Sequence, residues 1–299
     1  MASMIEKLSK RGLAQPPNHL VGSVQYEAQT GSVAYGVSSD NSDIDIYGFC
    51  IPPKDIIFPH VAGVIFGFDK DYTRFDQYQQ HHIIDKGSDK IYDFTIFNIV
   101  KYFRLCTDGN PNMIDSLFVP RRCVIFSTPI GEIVRSNRQL FLSKKCWFTH
   151  KGYAYSQLSK MNSKNFDGSN SSEDRKKDVL KYGYSTKFAY HIVRLLNQAE
   201  QILIEHNLDI TRNREQLKSI RRGEWTAEQI QDYFTTKERE LESVYSESTL
   251  RHSPDRSSIK IVLLKCLEQY FGSIDRLIKT DKSVEPLIRD LKEVLGRYE

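Results

Sequence analysis

Apolar and polar positions alternate near the start of the chain. Val24, Tyr26 and Ala28 take every second place, the period of a half-buried strand. A turn and a short helix are predicted next, then a second strand over Asp43 to Phe49. Ile44 and Ile46 lie on one face of that strand, Asp43 and Asp45 on the other. Pro52-Pro53 closes it. Ile56-Ile57-Phe58 and Val64-Ile65-Phe66 are short apolar runs around a loop. Asp69 to Asp89 is polar and aromatic and reads as a strand with flanking loop. Lys90 to Phe94 reads as a strand that leads into a helix over Thr95 to Thr107, with an apolar stripe through Phe97, Val100 and Phe103. Asp108-Gly109-Asn110-Pro111 ends that helix. Met113 to Phe118 reads as a short helix and Cys123 to Phe126 as a strand.

From about residue 130 the spacing turns helical. Segments are predicted at Ile130 to Arg138 and Thr149 to Met161, and 162 to 174 is dense in turn formers. The longest predicted helix spans Arg175 to Glu205, where Phe188, Ile192, Leu195, Ala199 and Ile202 recur at three- and four-residue steps. Further helices are predicted at 226 to 243, 257 to 278 and 284 to 298. The expected class is α+β, with a mixed front over 1–128 and a helical region over 129–299.

Candidate chemistry concentrates between Gly31 and Gly48, G-S-V-A-Y-G-V-S-S-D-N-S-D-I-D-I-Y-G. Asp43 and Asp45, one residue apart on a strand, point to the same face. Paired carboxylates suit hard divalent cations such as Mg2+ or Mn2+. The Gly31-Ser32 turn offers backbone N–H groups and a hydroxyl to a phosphate. Ser39 and Ser42 could add hydroxyls, or bond only within a serine-rich turn. Tyr35 could stack or pack. Together these features suggest chemistry on a nucleoside triphosphate. Taken alone, an Asp-x-Asp pair can also be a solvated strand start.

The motif resembles the signature of the polymerase-β nucleotidyltransferase superfamily, a Gly-Ser pair followed about ten residues later by Asp-x-Asp. The fuller resemblance is to a family of predicted nucleotidyltransferases of bacteria and their phages. Its G-S-x-A-Y-G and S-D-x-D-x-x-G blocks are met by Gly31 to Gly36 and Ser42 to Gly48. Gly109-Asn110-Pro111-Asn112 and the block from Lys181 to Leu196 extend it to roughly residues 22 to 270. The resemblance implies a small mixed sheet carrying the carboxylates, with helices closing one wall of a cleft. It also implies a third carboxylate from a later strand. Asp93 is the candidate and Asp89 the runner-up, although Asp93 could simply cap the helix expected after it.

Lys187, His191 and Arg194 are spaced four and three apart and share one helix face, next to the apolar stripe. The set coincides with the last block of the resemblance. It could hold triphosphate or an RNA phosphate, or be a solvated basic face. Residues 211 to 225 carry Arg212, Arg214, Lys218, Arg221 and Arg222, a possible phosphate patch weakened by Glu215 and Glu224. Trp225 is expected to pack. His81-His82 lacks partners at metal-ligand spacing.

Composition changes little. A net charge of +4 permits a nucleotide or nucleic-acid partner without arguing for one. Five scattered cysteines without a C-x-x-C pair suggest reduced thiols. The segment Met1 to Pro17 is polar and basic, and no run approaches a membrane span, so a cytoplasmic place is expected. The expected activity is metal-dependent transfer of NMP from an NTP to a hydroxyl on RNA (such as tRNA), protein or a small molecule, with release of pyrophosphate. Two alternatives are a non-catalytic nucleotide- or RNA-binding protein and a metal-dependent phosphohydrolase.

Overall fold

The computed structural model describes residues 2–38, 43–65, 75–162 and 173–273. Five strands form one sheet: β1 Val24–Gln29, β2 Ile44–Cys50, β3 Gln77–Asp85, β4 Lys90–Asn98 and β5 Val124–Ser127. Their spatial order is β3-β4-β2-β1-β5. Only β2 and β4 run parallel; the other pairs are antiparallel.

Among the described residues, thirteen α-helices surround the sheet. The first four are α1 Met4–Lys10, α2 Asn18–Val21, α3 Gly31–Tyr35 and α4 Lys54–Ile57. Next come α5 Ile99–Thr107, α6 Pro111–Phe118, α7 Pro129–Ser136 and α8 Lys145–Asn162. The remainder are α9 Glu173–Tyr182, α10 Thr186–Glu205, α11 Arg214–Arg221, α12 Ala227–Glu247 and α13 Arg256–Phe271. None of the described helices is long and apolar enough to cross a membrane.

The sheet is covered on both faces. Ile46, Tyr92, Phe94 and Ile96 pack with Ile5, Leu8 and Leu20 of α1 and α2. Phe49, Phe97 and Tyr26 pack with the helical layer, in a cluster that runs through Trp147 to Ile192 and Leu195. This explains why β1 is buried nearly throughout rather than on one side. Its alternate polar residues, Gln25 and Glu27, are buried as well.

Glu27 illustrates how such a group is accommodated. Its carboxylate accepts the backbone N–H of Met4 at 2.5 Å and of Ile5 at 3.1 Å, satisfying donors that the first turn of α1 cannot pair internally. Burial nevertheless pushes its carboxyl up to about 7. Because the folded value lies above the ordinary 4.5, the folded state holds the extra proton. Its stability contribution is therefore complete below about 4.5 and disappears as pH rises through about 7. The gap corresponds to roughly 3 kcal/mol. Thermal unfolding at pH 5 and pH 8 should show a clear fall for the native chain. The fall should be much smaller for Glu27→Gln.

Three boundaries differ from the expected ones, the first being the start of β2, which is Ile44 and not Asp43. The helix foreseen from Thr95 begins at Ile99, because Thr95, Ile96 and Phe97 are held in ladders with both β2 and β3. Asn98 caps it, accepting the Val100 N–H at 2.9 Å, so Asp93 is a mid-strand residue and not a helix cap. The single helix foreseen from Arg175 to Glu205 is two, α9 and α10. Gly183, at φ +82°, takes a left-handed conformation between them. The segment 284 to 298 and most of 162 to 174 lie outside the described residues.

Candidate active site

Asp45 and Asp93 are direct partners in the parallel register of β2 and β4. Neighbouring strands lie about 4.8 Å apart, so the two carboxylates stand side by side. They share the face of Tyr47 and Phe97, which packs against the helical layer. Asp43 is exposed just before β2. Asp89 lies in the turn between β3 and β4, away from that pairing.

Gly31 opens α3 directly against Asp45. Its φ is +66°, and a Cβ placed there would stand 2.1 Å from Asp45 Oδ2. Only glycine can turn the chain this close to the carboxylate. The Thr30 N–H donates to the Asp45 carbonyl at 2.8 Å, tying the turn to β2. Gly31→Ala should therefore displace the Asp45 carboxylate. The expected result is a protein that folds, by circular dichroism, but loses most of the activity proposed below. Ser32 follows, partly buried, in the same short helix. Ser39 and Ser42 lie outside the described residues.

The charge around Asp45 is mixed. Burial, then Asp93 and Asp43, push its carboxyl up to about 6, while Lys187 and His81 pull it down. Those four charges therefore lie in the neighbourhood of Asp45, on β4, just before β2, on α10 and on β3. Among the described residues, no three His, Cys, Asp or Glu side chains are already gathered closely enough to hold a metal ion. The chemistry of the donors still fits a hard divalent cation. Two in-register carboxylates and a third nearby repel one another, and oxygen donors of this kind are what Mg2+ selects.

The basic set on α10 divides. Lys187 is exposed in the first turn, near enough for its charge to act on Asp45. His191 is half-buried one turn later, its ring 4.1 Å from that of Tyr190. Arg194 departs from the reading as a phosphate ligand. It is only 2% exposed and forms an ion pair with Asp115 of α6. It also donates to the Tyr35 hydroxyl at 2.8 Å and to Gln198 Oε1 at 3.2 Å. Burial pulls its guanidinium down, but Tyr35 and Asp115 hold it above the ordinary arginine value. Burial likewise pushes Asp115 up, opposed by donors from Arg194, Tyr35 and Gln198. Arg194 stands nearly two turns beyond Lys187 and only about 20° from it round the helix, so its depth along α10, not a change of face, puts it against α6 and α3. There it braces α3 from below through Tyr35.

The basic segment after residue 211 is largely engaged with acids. Arg212 pairs with Glu205, Lys218 and Arg214 with Glu215, and Arg222 with Glu224. Trp225 packs on Tyr233. Sequence reading passed over His81, whose Nδ1 lies 3.3 Å from Asp93 Oδ2. Its one legible sign was the step of two through Gln77, Gln79 and His81, which puts all three on one face of a strand.

A small mixed sheet with in-register carboxylates under a glycine turn, backed by helices, is a nucleotidyltransferase-like fold of the polymerase-β kind. The chain belongs to RlaP, the RNA repair pathway DNA polymerase beta family, whose profile matches residues 5–262. It is 27% identical over 132 residues to an uncharacterized 38.9 kDa protein of Enterobacteria phage T4 from the nrdC-mobD intergenic region. That match spans 44% of this chain and 36% of the phage protein. Among solved structures, a nucleotidyltransferase-like protein from Exiguobacterium sibiricum 255-15 aligns over 98% of this chain and 88% of its own, at 10% identity and a TM-score of 0.28. So loose a superposition carries no argument.

Proposed function

We propose that the protein transfers NMP from an NTP to a hydroxyl acceptor and releases pyrophosphate. The observation that carries this reading is the in-register pair Asp45 and Asp93, with Gly31 packed against the Asp45 carboxylate. The family description names RNA repair, which makes an RNA hydroxyl the favoured acceptor. In the reaction the acceptor oxygen bonds to the α-phosphorus as the bond to the leaving pyrophosphate breaks.

Asp43, Asp45 and Asp93 would hold Mg2+ or Mn2+. A bound divalent ion would supply charge neutralisation to the triphosphate. The chain supplies positioning. The glycine turn lets the triphosphate approach the backbone at Gly31 and Ser32. Lys187 brings a positive charge to the same mouth. His191 lies one turn deeper, beside Tyr190.

The test is incubation with each α-labelled NTP, Mg2+ or Mn2+, and cellular RNA, followed by a denaturing gel. Label should move to RNA and pyrophosphate should appear. Release of free nucleotide without labelled acceptor would show a phosphohydrolase instead. Nucleotide binding without any turnover would show a binding protein.

A further inference from the structure

The edge strand β3 meets Asp93 in an unusual way. Pairing runs Gln80 to Phe94 and then Ile83 to Tyr92, so β3 carries one residue more than β4 between them. His81 and His82 thus oppose Asp93 alone. Such a bulge kinks the strand and re-aims its groups. His82 takes a left-handed φ of +56°, an uncommon conformation for a residue with a side chain. Its backbone N–H donates to Asp93 Oδ1 at 2.7 Å.

The other carboxylate oxygen is met by the His81 ring, Nδ1 to Oδ2 at 3.3 Å. The ring is held in turn. Gln77 Nε2 donates to Gln79 Oε1 at 3.1 Å. That leaves the Gln79 amide N–H to donate to His81 Nε2, 2.6 Å away. With the amides so assigned, His81 carries its proton on Nδ1, the nitrogen that stands 3.3 Å from Asp93 Oδ2. Both oxygens of Asp93 are therefore gripped from one bulge, and the ring that grips the second is fixed by a glutamine.

We propose that His81, oriented by Gln79, is a positioning residue that fixes the Asp93 carboxylate on the face it shares with Asp45. The inference rests on the proposed function for the role of Asp93, but the clamp itself can be tested without turnover. Partners that orient a ligating carboxylate this way are worth roughly 10- to 100-fold in metal affinity or activity.

Mn2+ binding to the nucleotide-free protein, followed by electron paramagnetic resonance, should weaken about 10-fold in His81→Ala. His81→Asn carries an N–H donor near the position of Nδ1 and should recover most of the loss. Gln79→Ala removes only the ring's support and should fall between the native protein and His81→Ala. In transfer assays, His81→Ala should lower kcat with little change in the KM for NTP. Native Mn2+ affinity in His81→Ala, or an Asn variant as impaired as the Ala variant, would overturn the clamp. Should His81→Ala misfold, the Gln79→Ala affinity decides in the same way. No transfer by the native protein, with this pattern of Mn2+ affinities across the variants, would defeat the proposed function and leave the clamp standing.

Discussion

Asp45→Asn should abolish nucleotidyl transfer while leaving the fold intact or slightly more stable. The activity loss should exceed about 100-fold, the upper range for an outer-shell partner alone, because Asp45 touches the reacting group directly in the proposed site. The stability change should run the other way. Burial, Asp93 and Asp43 all disfavour the Asp45 charge, raising its carboxyl to about 6. An amide of the same shape removes that repulsion. In metal-free buffer at neutral pH the gain should be about 1–2 kcal/mol, discounted for partial solvent screening. Denaturant unfolding beside a labelled-NTP gel measures both. Asp43→Asn should also abolish transfer, with a smaller stability change because Asp43 is exposed. Full activity in either variant would remove these carboxylates from the reaction.

Arg194→Ala should act on the fold first. The side chain is buried with Asp115, and its removal leaves that carboxylate without its cation in the interior. Losing one partner of a buried pair costs roughly 3–5 kcal/mol. The change should appear as a marked drop in Tm. A second, smaller effect should follow at the site. Arg194 and Asp115 both bond the Tyr35 hydroxyl, and Tyr35 ends the helix that Gly31 begins. Loosening that brace should let the glycine turn drift from Asp45. If Arg194 were a phosphate ligand instead, its loss would raise the KM for NTP and spare Tm. Lys187→Ala should show that second behaviour, since Lys187 is exposed and its charge acts on Asp45.

The two arginine readings show where sequence reasoning succeeds and where it stops. Lys187, His191 and Arg194 share a helix face by spacing, and that is correct as local geometry. Spacing cannot say where the face ends and the core begins, because this depends on what α6 and α3 bring to the other side. Asp115, the group that claims Arg194, lies 79 positions away. The same limit moved the start of α5. Local pattern favoured helix from Thr95, but two neighbouring strands supplied hydrogen bonds that extended β4 to Asn98.

His81 is the clearest omission. A histidine pair in a glutamine-rich run has no metal-ligand spacing, and nothing local marks a bulge. Its meaning comes from register. One extra residue in β3 puts a ring and a backbone N–H on the two oxygens of Asp93.

Local order along the chain was enough to set the α+β class, the strand bearing Asp45 with Asp43 just ahead of it, the opposite facing of Ile46, and the glycine turn before them. These follow from two- and 3.6-residue periods and from backbone freedom, which act over a few positions. The pairing of Asp45 with Asp93, the closeness of Gly31 to a carboxylate, the burial of Arg194 and the grip of β3 on Asp93 required the assembled molecule. Each joins groups at least 11 residues apart, and a contact at that range is selected by strand register and packing, which no short window of residues contains.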